Sequence, residues 1–140
     1  MPTLFTRIIE GEIPGTFVWK DEVCVAFMSI NPLRRGHTLV VPRMEVDHWL
    51  DCPPDVRGHL FDVSEHIGRA QQEAFQPARI GVVIAGLEVP HLHIHLVPID
   101  RLRDLDFANA ATSVAPEDLE DAASSIRDSL RRMGLSEVSD

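Results

Sequence analysis

The sequence predicts an α+β domain built around an antiparallel sheet, and three observations point there. Short runs of aliphatic, aromatic and β-branched residues fall into two groups, FVWK, CVAFM and HTLVVP early in the chain and RIGVVIAG and VPHLHIHLVP later. Between the groups lies one long segment whose apolar residues recur every three or four positions, the spacing of a helix with one buried face. The first two runs are separated only by a turn at Asp21–Glu22, which can join antiparallel strands but is too short for a parallel crossover. Strands gathered in groups, rather than alternating one by one with helices, give an α+β arrangement.

Taken in order, LFTRIIEGEIP predicts a short opening helix with Leu4, Phe5, Ile8 and Ile9 on one side, stopped near Gly11 and Pro14. FVWK and CVAFM form the antiparallel pair. SINPLRRG is a loop that turns at Asn31–Pro32 and exits at Gly36, and HTLVVP is a third strand ended by Pro42. The long helix runs from about Pro54 to Phe75, entered at Pro53–Pro54, with Val56, Leu60, Val63, Ile67, Ala70 and Ala74 along its buried face. RIGVVIAG and the histidine run are the fourth and fifth strands, joined by a turn at Gly86 to Glu88. A looser segment, Arg101 to Ala115, leads to a last helix from about Pro116 to Met133. Its early Glu117, Asp118 and Glu120 and late Arg131 and Arg132 complement the helix dipole, and Gly134 stops it. The chain therefore divides into a domain core over residues 1–100 and a C-terminal extension over 101–140 whose helix packs on the same domain.

Composition narrows the function classes. The 140 residues suffice for one domain with a hydrophobic core. A net charge of −9 argues against wrapping a nucleic-acid backbone, which needs clustered lysine and arginine. It leaves room for a small anionic ligand held by backbone N–H groups and a few imidazoles. No apolar run approaches a membrane span, and MPTLFTRIIEGE lacks the charged start and apolar core of a signal peptide, so a cytoplasmic protein is expected. Cys24 and Cys52 lie far apart and form no CxxC pair, which suggests neither a disulfide framework nor a cysteine-based metal site.

The chemistry gathers in VPHLHIHLVP. On a strand, His91, His93 and His95 point one way, ~7 Å apart, while Leu92, Ile94 and Leu96 point the other. A solvated face would account for one such histidine, but not for three in strict alternation backed by aliphatics. A metal site would take imidazole donors, but three residues along one straight strand span too far to chelate a single ion, and no HExxH or cysteine pair completes the set. Phosphoryl chemistry fits the pattern. Neutral imidazole is a covalent nucleophile, its neighbours can hydrogen-bond phosphate oxygens and pass a proton, and a rigid strand fixes the spacing.

His91-Leu92-His93-Ile94-His95-Leu96-Val97 fits the His-x-His-x-His-x-x signature, and with it the sequence resembles the histidine triad (HIT) superfamily of nucleotide hydrolases and transferases. FTRIIEGEIPGTFVWKDEVCVAFMSINPLRRGHTLVVP is similar to the N-terminal half of its HINT-like branch, so the resemblance covers roughly residues 3 to 100. It implies a HIT fold, a five-stranded antiparallel sheet with two main helices and here an extra C-terminal helix. It also implies a homodimer meeting through strands and central helix, no cofactor, and a purine nucleotide or nucleotide conjugate as ligand. By the same resemblance His93 is the nucleophile that forms a nucleotidyl-histidine intermediate, His95 contacts the phosphate, His91 orients His93 through its carbonyl, and His37 supports the site from the adjacent strand. The nucleotide pocket maps to Leu4, Phe5, Ile8, Phe27, Ser29, Ile30 and Glu88. The implied reaction is hydrolysis of a phosphoramidate-type nucleoside 5′-monophosphate derivative. Dinucleoside polyphosphate hydrolysis and a non-catalytic nucleotide-binding scaffold share the same signature.

The sequence departs from the family pattern at several positions. Thr3 and Thr6 stand where HINT-like proteins often carry a Cys-x-x-Cys zinc pair, so no zinc of that kind is expected. Ser29 replaces a ribose-binding aspartate, Gly86-Leu87 replaces a Gly-Gln pair, Ile84 and Ala85 lie where a phosphate-contacting asparagine is common, and Ile99 replaces a frequent arginine. Elsewhere, His48, His59 and His66 read as solvated or helix-surface residues, Arg34 and Arg35 as loop-exposed, and Trp19 and Trp49 as packing or dimer residues.

Overall fold

Which faces of the strands are apolar decides the architecture. In the computed structural model, which describes residues 1–140, the chain runs α1 (Leu4–Ile9), β1 (Phe17–Lys20), β2 (Cys24–Met28), β3 (Thr38–Pro42), α2 (Pro54–Phe75), β4 (Arg79–Val83), β5 (Ile94–Ile99) and α3 (Pro116–Arg132). Single turns of 3₁₀ helix lie at Trp49–Asp51, Leu102–Leu105 and Phe107–Asn109. The strands form one five-stranded sheet in the order β1-β2-β3-β5-β4, every pairing antiparallel. This is the α+β sheet the grouped runs predict.

β2 is buried throughout because both its faces are covered. Cys24, Ala26 and Met28 join the larger core with Val40, Ile94 and Leu96, against Leu60, Val63, Ile67 and Ala70 of α2 and Ala122, Ala123, Ile126 and Leu130 of α3. Val25 and Phe27 face the other way and join Phe5 of α1 with Phe17, Leu39 and Val41 in a second, smaller core. The sheet thus carries α2 and α3 on one face and the short α1 on the other. The thinly covered face is the one on which side chains can meet a ligand.

Helix ends follow local chemistry. α2 begins with Pro54 in its first turn and ends where Gln76 turns left-handed, at φ 52°. Thr3 caps α1 by accepting from the Thr6 N–H. Gly36 has φ 92°, and a Cβ there would overlap the Phe75 ring at the end of α2, so only glycine lets the β2–β3 loop lie this close. Buried Gln71 of α2 donates to the carbonyls of Gly36 and Leu96 at 2.9 and 3.0 Å, tying that loop to β5.

Two spans differ from the pattern. β4 stops at Val83 rather than Gly86, and β5 begins at Ile94 rather than near Val89. The reason is hydrogen bonding: the Leu92 N–H goes to the Val46 carbonyl at 2.7 Å and the His91 N–H to Val89, so this stretch has no ladder partner in β4. His91 and His93 therefore precede the strand and only His95 lies within it. The side-chain alternation nonetheless persists, since Leu92, Ile94 and Leu96 all enter the larger core.

The extension also closes one edge of the sheet. Lys20 and Ser139 exchange backbone hydrogen bonds with Glu137 and Val18, laying the last residues along β1. Arg127 of α3, 4% exposed, donates to the Phe17 carbonyl through Nε at 2.9 Å and Nη2 at 2.7 Å, and to the Ser139 carbonyl at 3.0 Å. β4 remains the open edge.

Candidate active site

The site forms where α1, the start of β3 and the approach to β5 converge. His91 and His37 are fully buried, His93 is 6% exposed, and His95 is half-buried. The His93 and His95 rings lie edge to face at 4.9 Å, and His37 and His95 lie 5.1 Å apart. Phe5 of α1 packs edge-on against His93 at 4.9 Å and His91 at 5.8 Å.

Hydrogen-bond partners fix which nitrogen of each ring carries a proton. The His93 Nδ1 lies 2.7 Å from the His91 carbonyl, which can only accept. Nδ1 therefore bears the hydrogen, and Nε2 keeps a free lone pair. His91 Nε2 donates to the Pro42 carbonyl at 2.7 Å, leaving its Nδ1 to accept from the Thr3 hydroxyl at 2.7 Å. On the other side of the site, the Leu33 N–H can only donate, and it donates to His37 Nδ1 at 3.0 Å. His37 Nε2–H then donates to His95 Nδ1 at 2.9 Å, so that His95 presents an Nε2–H. The geometry offers one nucleophilic nitrogen and, beside it, one hydrogen-bond donor.

Burial favours the uncharged forms of His37, His93 and His95. Loss of water around His37 pushes its pKa down to about 3, helped by the neighbouring His95 and His93. The same desolvation, with His93 nearby, brings His95 down to about 4. His93 is lowered chiefly by burial, partly offset by its bond to the His91 carbonyl. At neutral pH these three rings are free bases, the form in which an imidazole nitrogen attacks an electrophile.

The predicted pocket residues separate into two sets. Phe5, Phe27 and Ile8 come together beside the triad, with Phe5 and Phe27 edge to face at 5.5 Å. Ser29 lies at the end of β2, its N–H donating to the His37 carbonyl at 3.0 Å and its Oγ accepting from the Asn31 N–H at 3.3 Å. Leu4 and Ile30 are 46% and 69% exposed and lie outside that apolar cluster. Glu88 is exposed in the loop before the triad, and its charge acts on His93 to raise its pKa against the effect of burial.

Several surface readings are corrected. His59 is not simply solvated: its Nε2 lies 2.7 Å from Asp21 Oδ2. His66 stacks on the buried Trp19 ring at 5.8 Å. Arg34 is tied to Asp100 at 2.9 Å and to Asp104, so it anchors a loop rather than extending free from it. Asp21, Cys24 and His59 form a group of metal-ligating types. The Asp21 carboxylate there already accepts from Trp19 Nε1, from the Cys24 thiol and from the backbone N–H groups of Val23 and Cys24.

Sequence reasoning missed four contributors to the site: the Thr3 hydroxyl, the Pro42 carbonyl, the Leu33 N–H and the Phe107 ring, which lies 5.0 Å from His95. Thr3 was legible only as a departure from a cysteine pair. Its hydroxyl bonds His91, its N–H bonds Glu45 Oε2 at 2.7 Å, and Thr6 Oγ1 donates to the same Glu45 oxygen at 2.7 Å. Two backbone groups carry no residue-type signal at all.

Wired imidazoles on the open face of such a sheet define a histidine triad domain. Comparison with known proteins agrees: the HIT domain model matches residues 10–102, and the chain belongs to that family. Protein hit of Bacillus subtilis is 30% identical over 131 residues, spanning 88% of this chain and 90% of that one. Adenylylsulfatase HINT3 of Arabidopsis thaliana is 28% identical over 68% of this chain and 51% of its own length. Among solved structures, a Hit-like protein from Bartonella henselae superposes with a TM-score of 0.81 at 30% identity, covering 91% of this chain and 95% of that one.

Proposed function

We propose that the protein is a nucleotide hydrolase or transferase that cleaves a nucleoside 5′-monophosphate derivative of the phosphoramidate type through a nucleotidyl-His93 intermediate. The observation that carries this reading is the pinned tautomer of His93: Nδ1–H is held by the His91 carbonyl at 2.7 Å, and a neutral Nε2 is left free. In the first step Nε2 attacks the α-phosphorus, the bond to the leaving nitrogen breaks, and the amine departs with a proton drawn from solvent. Water then attacks the phosphorus and loses a proton to solvent, the bond to His93 breaks, and a nucleoside 5′-monophosphate is released with the neutral imidazole restored. The His95 Nε2–H bonds a phosphate oxygen through both steps, held in that tautomer by His37. His91 fixes the geometry of His93.

The apolar cluster of Phe5, Ile8 and Phe27 is suited to a purine, and the family resemblance adds Leu4, Ser29, Ile30 and Glu88 to the nucleotide site. The relative named adenylylsulfatase supports an adenylyl group. The chain acts in the cytoplasm as a homodimer in this reading. The open β4 edge supports the dimer, with Val82 50% exposed beside the 45% exposed Phe61 of α2.

The test is turnover of a fluorogenic adenosine 5′-phosphoramidate by the wild type and by His93→Ala. Loss of turnover in the folded variant, with an adenylyl mass increment trapped on wild-type His93, is the expected result. Equal turnover by both proteins would sink the covalent route.

A further inference from the structure

The segment from Asp100 to Thr112 is a strap that brings Phe107 against His95. Arg34 pairs with Asp100 at 2.9 Å and with Asp104 at its start. Asp104 in turn accepts from the Asp100 and Arg101 N–H groups at 2.9 and 3.1 Å. The far end is held by Ala111 N–H to the Pro32 carbonyl at 3.0 Å and by Asn31 Nδ2 to the carbonyls of Ala111 and Thr112 at 3.0 and 3.1 Å. In the middle, Leu105 packs where a Cβ on Gly81 would meet it at 3.1 Å, so a glycine in β4 seats the strap. Asp100 also accepts from the Ala78 N–H at 3.0 Å, just before β4, and the β2–β3 loop that holds both ends also supplies the Leu33 N–H that sets the His37 tautomer.

Phe107 takes no part in this anchoring. It sits on the single 3₁₀ turn capped by Asp106, with its ring edge to face on His95 at 5.0 Å. It is 45% exposed, so part of the ring stays open for contact. Phe5 stands at the other end of the row, against His91 and His93. The triad therefore lies between two aromatic walls, one from α1 and one from the strap.

We propose that Phe107 is a specificity-determining residue that contacts the group bonded to phosphorus on the side away from the nucleoside, and favours substrates in which that group is aromatic. The proposal rests on the nucleotide reading above, which gives the Phe5 wall to the nucleoside and leaves the Phe107 wall for the leaving group. An aromatic pair prefers edge-to-face or offset stacking at 4.5–7 Å between centroids, a contribution beyond simple area burial. The half-open Phe107 ring is free to supply it.

The experiment measures binding rather than turnover, so that chemistry and recognition separate. Adenosine 5′-benzylphosphonate and adenosine 5′-ethylphosphonate carry a P–C bond that nucleophilic attack does not cleave, and they differ in the aromatic ring. Calorimetric Kd values are taken for wild type, Phe107→Ala and Phe107→Leu, the last keeping bulk without a π-face. The wild type is expected to prefer the benzyl compound by about tenfold. In both variants that preference should fall to within about twofold of parity, the benzyl compound losing more affinity than the ethyl one. A preference that survives in Phe107→Leu overturns the assignment, as does an equal loss for both compounds, which would mark a structural wall. Failure of the wild type to bind either compound would overturn the nucleotide reading and this one with it.

Discussion

His37 and His95 are held at about 3 and about 4, below an ordinary histidine value of 6.5, because burial disfavours their charged forms. In the unfolded chain both regain the higher value. As pH falls below about 6.5 the unfolded state takes up protons that the folded state refuses, and stability drops until the folded values are reached. Stability should therefore be full above about pH 6.5 and decline toward pH 4, measured as the urea midpoint at stepped pH. A midpoint unchanged between pH 7.5 and 5 would contradict the buried neutral set. Thr3 gives a second prediction at this scale. Thr3→Val removes the donor to His91 and the cap of α1, and should lower kcat/KM roughly tenfold, the kinetic equivalent of one hydrogen bond. Thr3→Ser should restore it; a serine variant as impaired as valine would assign the loss to shape instead. The imidazoles themselves were legible, since alternation in VPHLHIHLVP gave their common side. Their partners were not: Thr3 lies 88 positions from His91, and a carbonyl or N–H has no residue identity to read.

Elements with their own periodicity emerged where the sequence placed them. α2 spans Pro54–Phe75 and α3 spans Pro116–Arg132, because apolar spacing, an entry proline and a left-handed or glycine exit act locally. The approach to β5 did not, because whether a residue pairs depends on a neighbour: Val46 takes the Leu92 N–H that β4 would have bonded. The tail over 137–139 is a similar case, with nothing in Glu137, Val138 and Ser139 announcing a partner for β1. Arg127 holds that tail. Arg127→Met leaves the buried Phe17 carbonyl without its side-chain donor and should destabilise the fold by about 2–4 kcal/mol. Hydrogen exchange at Ser139 and Lys20 should rise with it. Lysine should not rescue, since one ammonium cannot reproduce the fork that spans Phe17, Ser139 and Glu120. Stability equal to wild type in Arg127→Met would show that the tail docks without it.

Across the whole molecule, the two edges of the sheet have opposite fates. β1 is covered by the chain's own last residues, while β4 stays open beside the exposed Phe61 and Val82. Pairing of two copies through that edge would bury both side chains and remove the unpaired backbone groups. The wild type should sediment at twice the 15.7 kDa chain mass, and Phe61→Glu combined with Val82→Glu should sediment at the single mass while keeping its circular dichroism. Wild type sedimenting as one chain would remove the dimer from the proposed function. The net charge of −9 is compatible with the proposed nucleotide, because in that reading recognition would fall to imidazoles inside a local site rather than to the field of the surface.

By itself the sequence determined the α+β class, the helical spans and the row of imidazoles, since each follows from periodicity or from a residue type with one dominant preference. Tertiary structure decided the rest. It fixed which nitrogen of each imidazole carries its proton, that Thr3 and Pro42 clamp His91, that Arg34 ties down a strap, and that Phe107 stands against His95. Those outcomes depend on groups distant in the chain meeting at about 3 Å, and a hydrogen bond chooses its partner by proximity in space.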